Sequence, residues 1–265
     1  MSRDGFPSRL CTALPPRRRQ IDRVPGAIWP LYALLSALAV AYVVIELLGV
    51  QWAWLDGWGV DAFELVAAGL CIAKAATLRR GRTVPVLLGI GLVSWACGDI
   101  VLTVQSLGGA TPPSPSLADA FYVAFYPVTY CALMMLLRRH VKRFSLANWL
   151  DGGVAGLGAA AICATFAFKA VLHHDGGSAL GVAVNLAYPV GDVLLLGLVV
   201  GGAAMVSGRR KLPWLLLAAG YALNTVGDIF NMLGTTSFVG TVFNATAWPL
   251  SILFVSVAVW IRTPE

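Results

Sequence analysis

Asp99 and Asp228 stand inside apolar runs, each directly behind a glycine, in the stretches LLGIGLVSWACGDI and LLAAGYALNTVGDI. They lie 228 − 99 = 129 residues apart, and Gly91 and Gly220 keep the same offset. Each stretch is followed by an aromatic–proline pair, Tyr126-Pro127 and Trp248-Pro249. A carboxylate in hydrocarbon is costly, so such residues face a protein interior or a wet cavity. Two of them brought together in a low dielectric would share a proton or capture a cation. Proton handling, cation binding and hydrogen bonding to a small polar ligand are therefore the chemistries to look for.

Helical spacing gathers further polar groups onto single faces. Tyr221, Asn224, Asp228 and Asn231 follow i, i+3, i+7, i+10, and Asn185, Tyr188 and Asp192 follow i, i+3, i+7. Asp119, Tyr122, Tyr126 and Tyr130 follow i, i+3, i+7, i+11. Aromatic walls with a few polar groups are the usual lining of a small-molecule site. The expected ligand-binding set is Glu46, Asp61, Asp99, Asp119, Tyr122, Tyr126, Asn185, Tyr188, Asp192, Tyr221, Asn224, Asp228 and Asn231. The same groups can instead act as interhelical glue with no ligand, and both readings stay open at this point.

No catalytic residue, cofactor or metal site is expected. The chain has no HExxH, no GxSxG and no P-loop, and its glycine runs lie in apolar stretches that follow no strand. His173 and His174 are adjacent, whereas a metal needs several convergent ligands. Cys71, Cys97, Cys131 and Cys163 lie in apolar segments and Cys11 in the N-terminal arm, with no CxxC pattern, so no disulfide framework is expected.

The elements that would position these residues are membrane helices. Of 265 residues, 58% are hydrophobic and 12% charged, with mean hydropathy +0.77. Soluble domains carry roughly 25% charged residues, so lipid must cover much of this surface. A bilayer core of about 30 Å takes about 20 residues of helix. Eight segments qualify, near 30–50, 61–79, 84–106, 118–138, 149–172, 181–206, 212–233 and 240–261. The expected fold is all-α and polytopic, with eight transmembrane helices in two parallel four-helix repeats, residues 28–143 and 144–265. Residues 1–27 form a basic, Pro-rich arm expected to be disordered. In the outer halves of the repeats, Asp61 roughly matches Asp192.

The net charge of +6 sits in alternate gaps. Arginines fill the arm, Arg79, Arg80 and Arg82 follow segment two, and Arg138, Arg139, Lys142 and Arg143 follow segment four. Arg209, Arg210 and Lys211 follow segment six, and the other gaps hold no Arg or Lys. By the positive-inside rule both termini are cytoplasmic, in a multi-pass protein of the plasma membrane. The basic residues then face lipid headgroups rather than nucleic acid. The acidic residues gather in the outer half, apart from Asp151. Gly152, Gly156 and Ala160 give segment five a small-residue face. It suits packing within the chain, with a homodimer as the other reading.

The run Ser116-Leu117-Ala118-Asp119-Ala120-Phe121-Tyr122-Val123-Ala124-Phe125-Tyr126-Pro127 is distinctive, as are Trp95-Ala96-Cys97-Gly98-Asp99 and Asn185-Leu186-Ala187-Tyr188-Pro189-Val190-Gly191-Asp192. Together they resemble the N-terminal multi-helix sensor regions of actinobacterial diguanylate cyclase and phosphodiesterase proteins of the GGDEF/EAL type. The resemblance spans about residues 28–261. It implies a sensing module that signals to a cytoplasmic partner of the cyclic-di-GMP kind. No GGDEF or EAL motif is present in the sequence, so the expectation is a stand-alone relative or a sensor separated from its output. Paired intramembrane carboxylates also resemble, more loosely, lysoplasmalogenase-type membrane hydrolases, which would imply water activation by Asp99 and Asp228. A small-molecule or ion transporter is a further reading of the repeat.

Overall fold

A computed structural model describes residues 26–50, 52–113, 115–140, 179–208, 211–232 and 237–261, with 147, 150, 153–158 and 161. The described residues form α1 (Ile28–Leu47), a π-helical turn (Leu55–Gly59), α2 (Val60–Thr77), α3 (Thr83–Gln105), a 3-10 turn (Leu107–Gly109) and α4 (Leu117–His140). Then come α5 (Ala179–Met205), α6 (Lys211–Met232) and α7 (Phe238–Trp260). No strand occurs among them. The N-terminal arm, most of segment five, Cys11, Cys163, Lys169, His173 and His174 lie outside the described residues.

Among the described residues, five helices are long and apolar enough to cross a bilayer: Ile28–Leu47, Thr83–Gln105, Leu117–Arg139, Ala183–Met205 and Phe238–Trp260. The protein is membrane-embedded and all-helical. Its outward faces fit that setting, because Leu34, Leu38 and Val40 on α1 and Val190 and Leu194 on α5 are exposed. Contiguous apolar surface of this kind belongs against lipid rather than water. α2, which carries Asp61, Glu64 and Lys74, is not one of the five, nor is α6, which carries Lys211 and Asp228.

Local signals end and start these helices. Gly49, Gly81, Gly108 and Gly208 adopt φ of 65–82° between elements, a left-handed conformation that glycine tolerates best. α4 opens on a reciprocal cap. Ser116 Oγ accepts from the Ala118 N–H at 3.1 Å, and the Ser116 N–H donates to Asp119 Oδ2 at 2.5 Å. The Ser-Leu-Ala-Asp run is thus a capping box with Asp in the Glu position.

α3 packs between α2 and α4, α6 between α5 and α7, and α7 also lies on α1 and α2. Tyr188 donates to Asp119, and Tyr126, farther along α4, donates to Asp192, farther along α5. Both pairings advance together, so α4 and α5 run in the same direction. Ser256 with Ala67 and Trp260 with Leu70 set α7 parallel to α2 in the same way. Gly156 lies against the carbonyl of Gly197 on α5, where a methyl would approach to 2.7 Å. That glycine packs within the chain; Gly152 and Ala160 lie outside the described residues.

One hydroxyl joins three helices. Ser256 Oγ on α7 lies 2.6 Å from the Tyr32 hydroxyl of α1 and donates to the Ala67 carbonyl of α2 at 2.7 Å. Interhelical hydrogen bonds in membranes average about 0.6 kcal/mol and reach about 1.7. Ser256→Ala is therefore expected to cost roughly that range, read as an earlier thermal unfolding transition in detergent. Loss of more than this range would mean that Ser256 sets helix register as well.

Candidate functional site

The interior of the bundle holds an acidic–aromatic core assembled from both halves of the chain. Its plan follows from glycine. At Gly98 an added methyl would overlap the ring of Tyr122, at Gly191 the ring of Tyr126, and at Gly227 it would come within 2.8 Å of Trp248 Nε1. Each glycine precedes an aspartate. The ring seated on it hydrogen-bonds that neighbour: the Tyr122 hydroxyl donates to Asp99 at 2.5 Å, the Tyr126 hydroxyl to Asp192 at 3.0 Å, and the Trp248 indole N–H to Asp228 at 2.9 Å. Gly-Asp is thus a two-part receptor for an aromatic on the adjoining helix. The glycine admits the ring and the carboxyl takes its polar tip.

Tyr126 also donates to Asp228 at 3.3 Å, and Asn224 donates to Asp192 at 3.0 Å. Asp192 and Asp228 lie within hydrogen-bonding reach of each other and are only 2% and 6% exposed. A second acid pair forms between α2 and α3, where Glu64 abuts Asp99. Glu64 is wholly buried, and neither of its carboxyl oxygens has a hydrogen-bond donor among the described residues. Two carboxyls in contact hold together when they share a proton or a cation. Asp61 lies one turn before Glu64, beside Thr103. No group of three or more His, Cys, Asp or Glu among the described residues is arranged to hold a metal ion. The acids meet in pairs, flanked by phenol, indole and amide donors.

Aromatic rings join the two pairs. Trp95 contacts Tyr122, Phe125 and Trp248 at centroid distances of 4.9, 5.3 and 6.3 Å, and Tyr122 contacts Tyr188 at 6.3 Å. The Tyr188 hydroxyl donates to Asp119 at 2.5 Å, at the mouth of α4. Three of the donors directly precede a proline inside a helix: Tyr126-Pro127, Tyr188-Pro189 and Trp248-Pro249.

Of the expected set, Asp99, Asp119, Tyr122, Tyr126, Tyr188, Asp192, Asn224 and Asp228 join this network. Asp61 lies at its edge. Tyr221 is buried with its ring 6.4 Å from Phe125, and its hydroxyl has no hydrogen-bond partner among the described residues. Asn185 is half-buried. Two residues stand apart. Asn231 is exposed, and Glu46 gathers with Tyr42 and Asp56. The expected ligand-binding set leaves out Glu64, Trp95 and Trp248. Glu64 had a signal, since it follows Asp61 by three residues on one helical face.

The opposite end of the bundle is basic. Lys74, Gly81, Arg139 and Pro213 line a small cavity of about 110 Å³. There Arg139 donates to the Gly81 carbonyl at 2.9 Å. The protein is therefore polarised along the helix axes, acidic at one end and basic at the other. Comparison with protein-family models, with curated proteins and with solved structures finds no match to this chain.

Proposed function

We propose that this chain is a multi-pass plasma-membrane sensor whose acidic–aromatic core takes a proton or a small cation-bearing ligand from the outer side. Ligand binding changes helix packing, and a cytoplasmic partner reads that change. The carrying observation is the convergence of Glu64, Asp99, Asp192 and Asp228 in two buried acid pairs joined by aromatic rings. No Lys or Arg occupies the gaps at the acidic end, so an incoming positive charge meets no competitor there. The likeness to GGDEF/EAL-associated sensor regions gives the partner its kind, a cyclic-di-GMP enzyme.

This reading includes eight crossings in two parallel four-helix repeats, with both termini cytoplasmic. Parallel α4 and α5 support it, because the chain between them must travel back along the bundle. The two acid pairs support the repeat, since each joins an inward-running helix to the Gly-Asp helix that follows it. The basic cavity around Lys74 and Arg139 supports the orientation through the positive-inside rule.

A sensor requires a ligand with different affinity for two packings of the helices. The Asp99→Asn/Asp228→Asn double variant should keep the fold and lose ligand-induced thermal stabilisation. The assay is a fluorescence melt across a panel of small amines, monovalent cations and pH values. A double variant that responds like the parent protein would sink the assignment of the core as the sensing site. Proton-coupled transport is the second reading, favoured by the acid pairs themselves. It predicts acidification or substrate uptake in proteoliposomes, which the sensor reading does not.

A further inference from the structure

We infer that the cleft between α1 and α2 is a separate binding site for a single-chain amphiphile with a cationic head. The cleft has a volume of about 430 Å³, inside the range of about 300–1,000 Å³ for small-molecule sites. Its walls are nearly all apolar, with Leu35 and Leu38 from α1, Phe63 from α2, Trp54 before the π-helical turn, and Pro249 from α7. Tyr42 lines it as well. The Tyr42 hydroxyl reaches the carboxyls of both Glu46 and Asp56, and these two acids reach each other. Asp56 lies in the π-helical turn, a wider winding that is frequent at functional sites.

Charge decides the head group. From Ile28 to Ala73 the chain has no Lys, Arg or His, and α7 has none either. The stretches of α1, the π-helical turn, α2 and α7 that wall the cleft are therefore without a cation, Lys74 lying farther along α2, while two adjoining acids stand at Tyr42 on its wall. A phosphate or carboxylate head would be repelled, and a neutral head would leave the acids facing each other. An ammonium head meets both acids, with the Trp54 and Tyr42 rings beside it as cation–π surfaces. The alkyl chain then lies along Leu35, Leu38 and Phe63. Pro249 ties the cleft to the core, because the preceding Trp248 donates to Asp228. An occupant of the cleft thus touches the proline next to the residue that holds the second acid pair.

The test uses the full chain in neutral maltoside micelles and an alkyl trimethylammonium probe with a photoreactive diazirine in its tail. Peptide mapping should find the label within residues 35–66. Unlabelled alkyl trimethylammonium should compete, and the alcohol of equal chain length should not. Glu46→Gln/Asp56→Asn should lower labelling about tenfold, the change produced by about 1.4 kcal/mol of lost attraction. Ala62→Trp fills the cleft from a position exposed on α2 and should remove labelling while the melting temperature holds. Equal competition by the alcohol, unchanged labelling in the acid double variant, or label spread over the lipid faces of α3 and α4 would each overturn the proposal. The Asp99→Asn/Asp228→Asn protein should label fully, so failure of the core reading leaves this site standing.

Discussion

Gly191→Leu should leave almost no folded protein. A single methyl at this position already overlaps the Tyr126 ring, and leucine adds three more carbons in the same space. Overpacking costs about 1–3 kcal/mol and occasionally more. The gain in helix propensity over glycine is at most about 1 kcal/mol, so the overlap wins. Displacing Tyr126 also strips its hydrogen bonds from Asp192 and Asp228. Gly69→Leu is the matched control, because nothing lies within 4 Å of its added carbon and the residue is exposed on α2. It should melt at or above the parent temperature. The check is detergent-extracted monodisperse protein by fluorescence-detected size exclusion. A Gly191→Leu protein that elutes like the Gly69→Leu control would mean that Tyr126 is not seated as described.

Asp192→Ala should be the most damaging single change among the acids, and Asp192→Asn should be nearly harmless. Alanine strands Asn224 and removes the shorter of the two Tyr126 bonds. Each stranded buried donor costs about 1–3 kcal/mol, and the vacated volume adds to it. Asparagine keeps the shape and can accept from Asn224 or Tyr126 while its own amide donates to Asp228. With a proton shared across the pair, asparagine stands in for the acid that carries it. Melting temperatures of the two variants measure the difference. If asparagine proves as harmful as alanine, Asp192 works as an ionised group and the shared-proton description of the pair fails.

The helices were legible because lipid leaves the backbone no alternative to helical hydrogen bonding. The apolar run near 61–79 became Val60–Thr77 and the run near 84–106 became Thr83–Gln105. The acids that make the core interesting also blur the reading of α2 and α6 as membrane spans. Within the site, Asp99 and Asp228 announced themselves through the glycine before each. Gly191 was read only as part of a motif, since its purpose depends on Tyr126 arriving from another helix. Trp248 was noted as half of an aromatic–proline pair. Its indole N–H finds Asp228 through the register of α6 against α7, which no spacing within one helix encodes. Asn231 fails for a geometric reason. It shares a face with Asn224 but stands beside Met232, the last residue of α6, where the helix end leaves it exposed. Glu46 is a different lesson: the π-helical turn brings Asp56 to it and gathers a second acidic group around α1.

The helix-internal prolines carry a mechanical consequence. Pro127 lies 127 − 117 = 10 residues into α4, Pro189 lies 189 − 179 = 10 into α5, and Pro249 lies 249 − 238 = 11 into α7. At about 1.5 Å per residue that is about 15–17 Å down each rod, half the thickness of a bilayer core of about 30 Å. Every proline withholds one backbone hydrogen bond, which makes its rod easier to bend there. Three rods thus each carry a weakened joint near the middle of their length, and the side chain just before each joint grips an acid. In the proposed sensor, loading or emptying those acids would tilt the limbs beyond the joints and change the splay of the bundle at one rim.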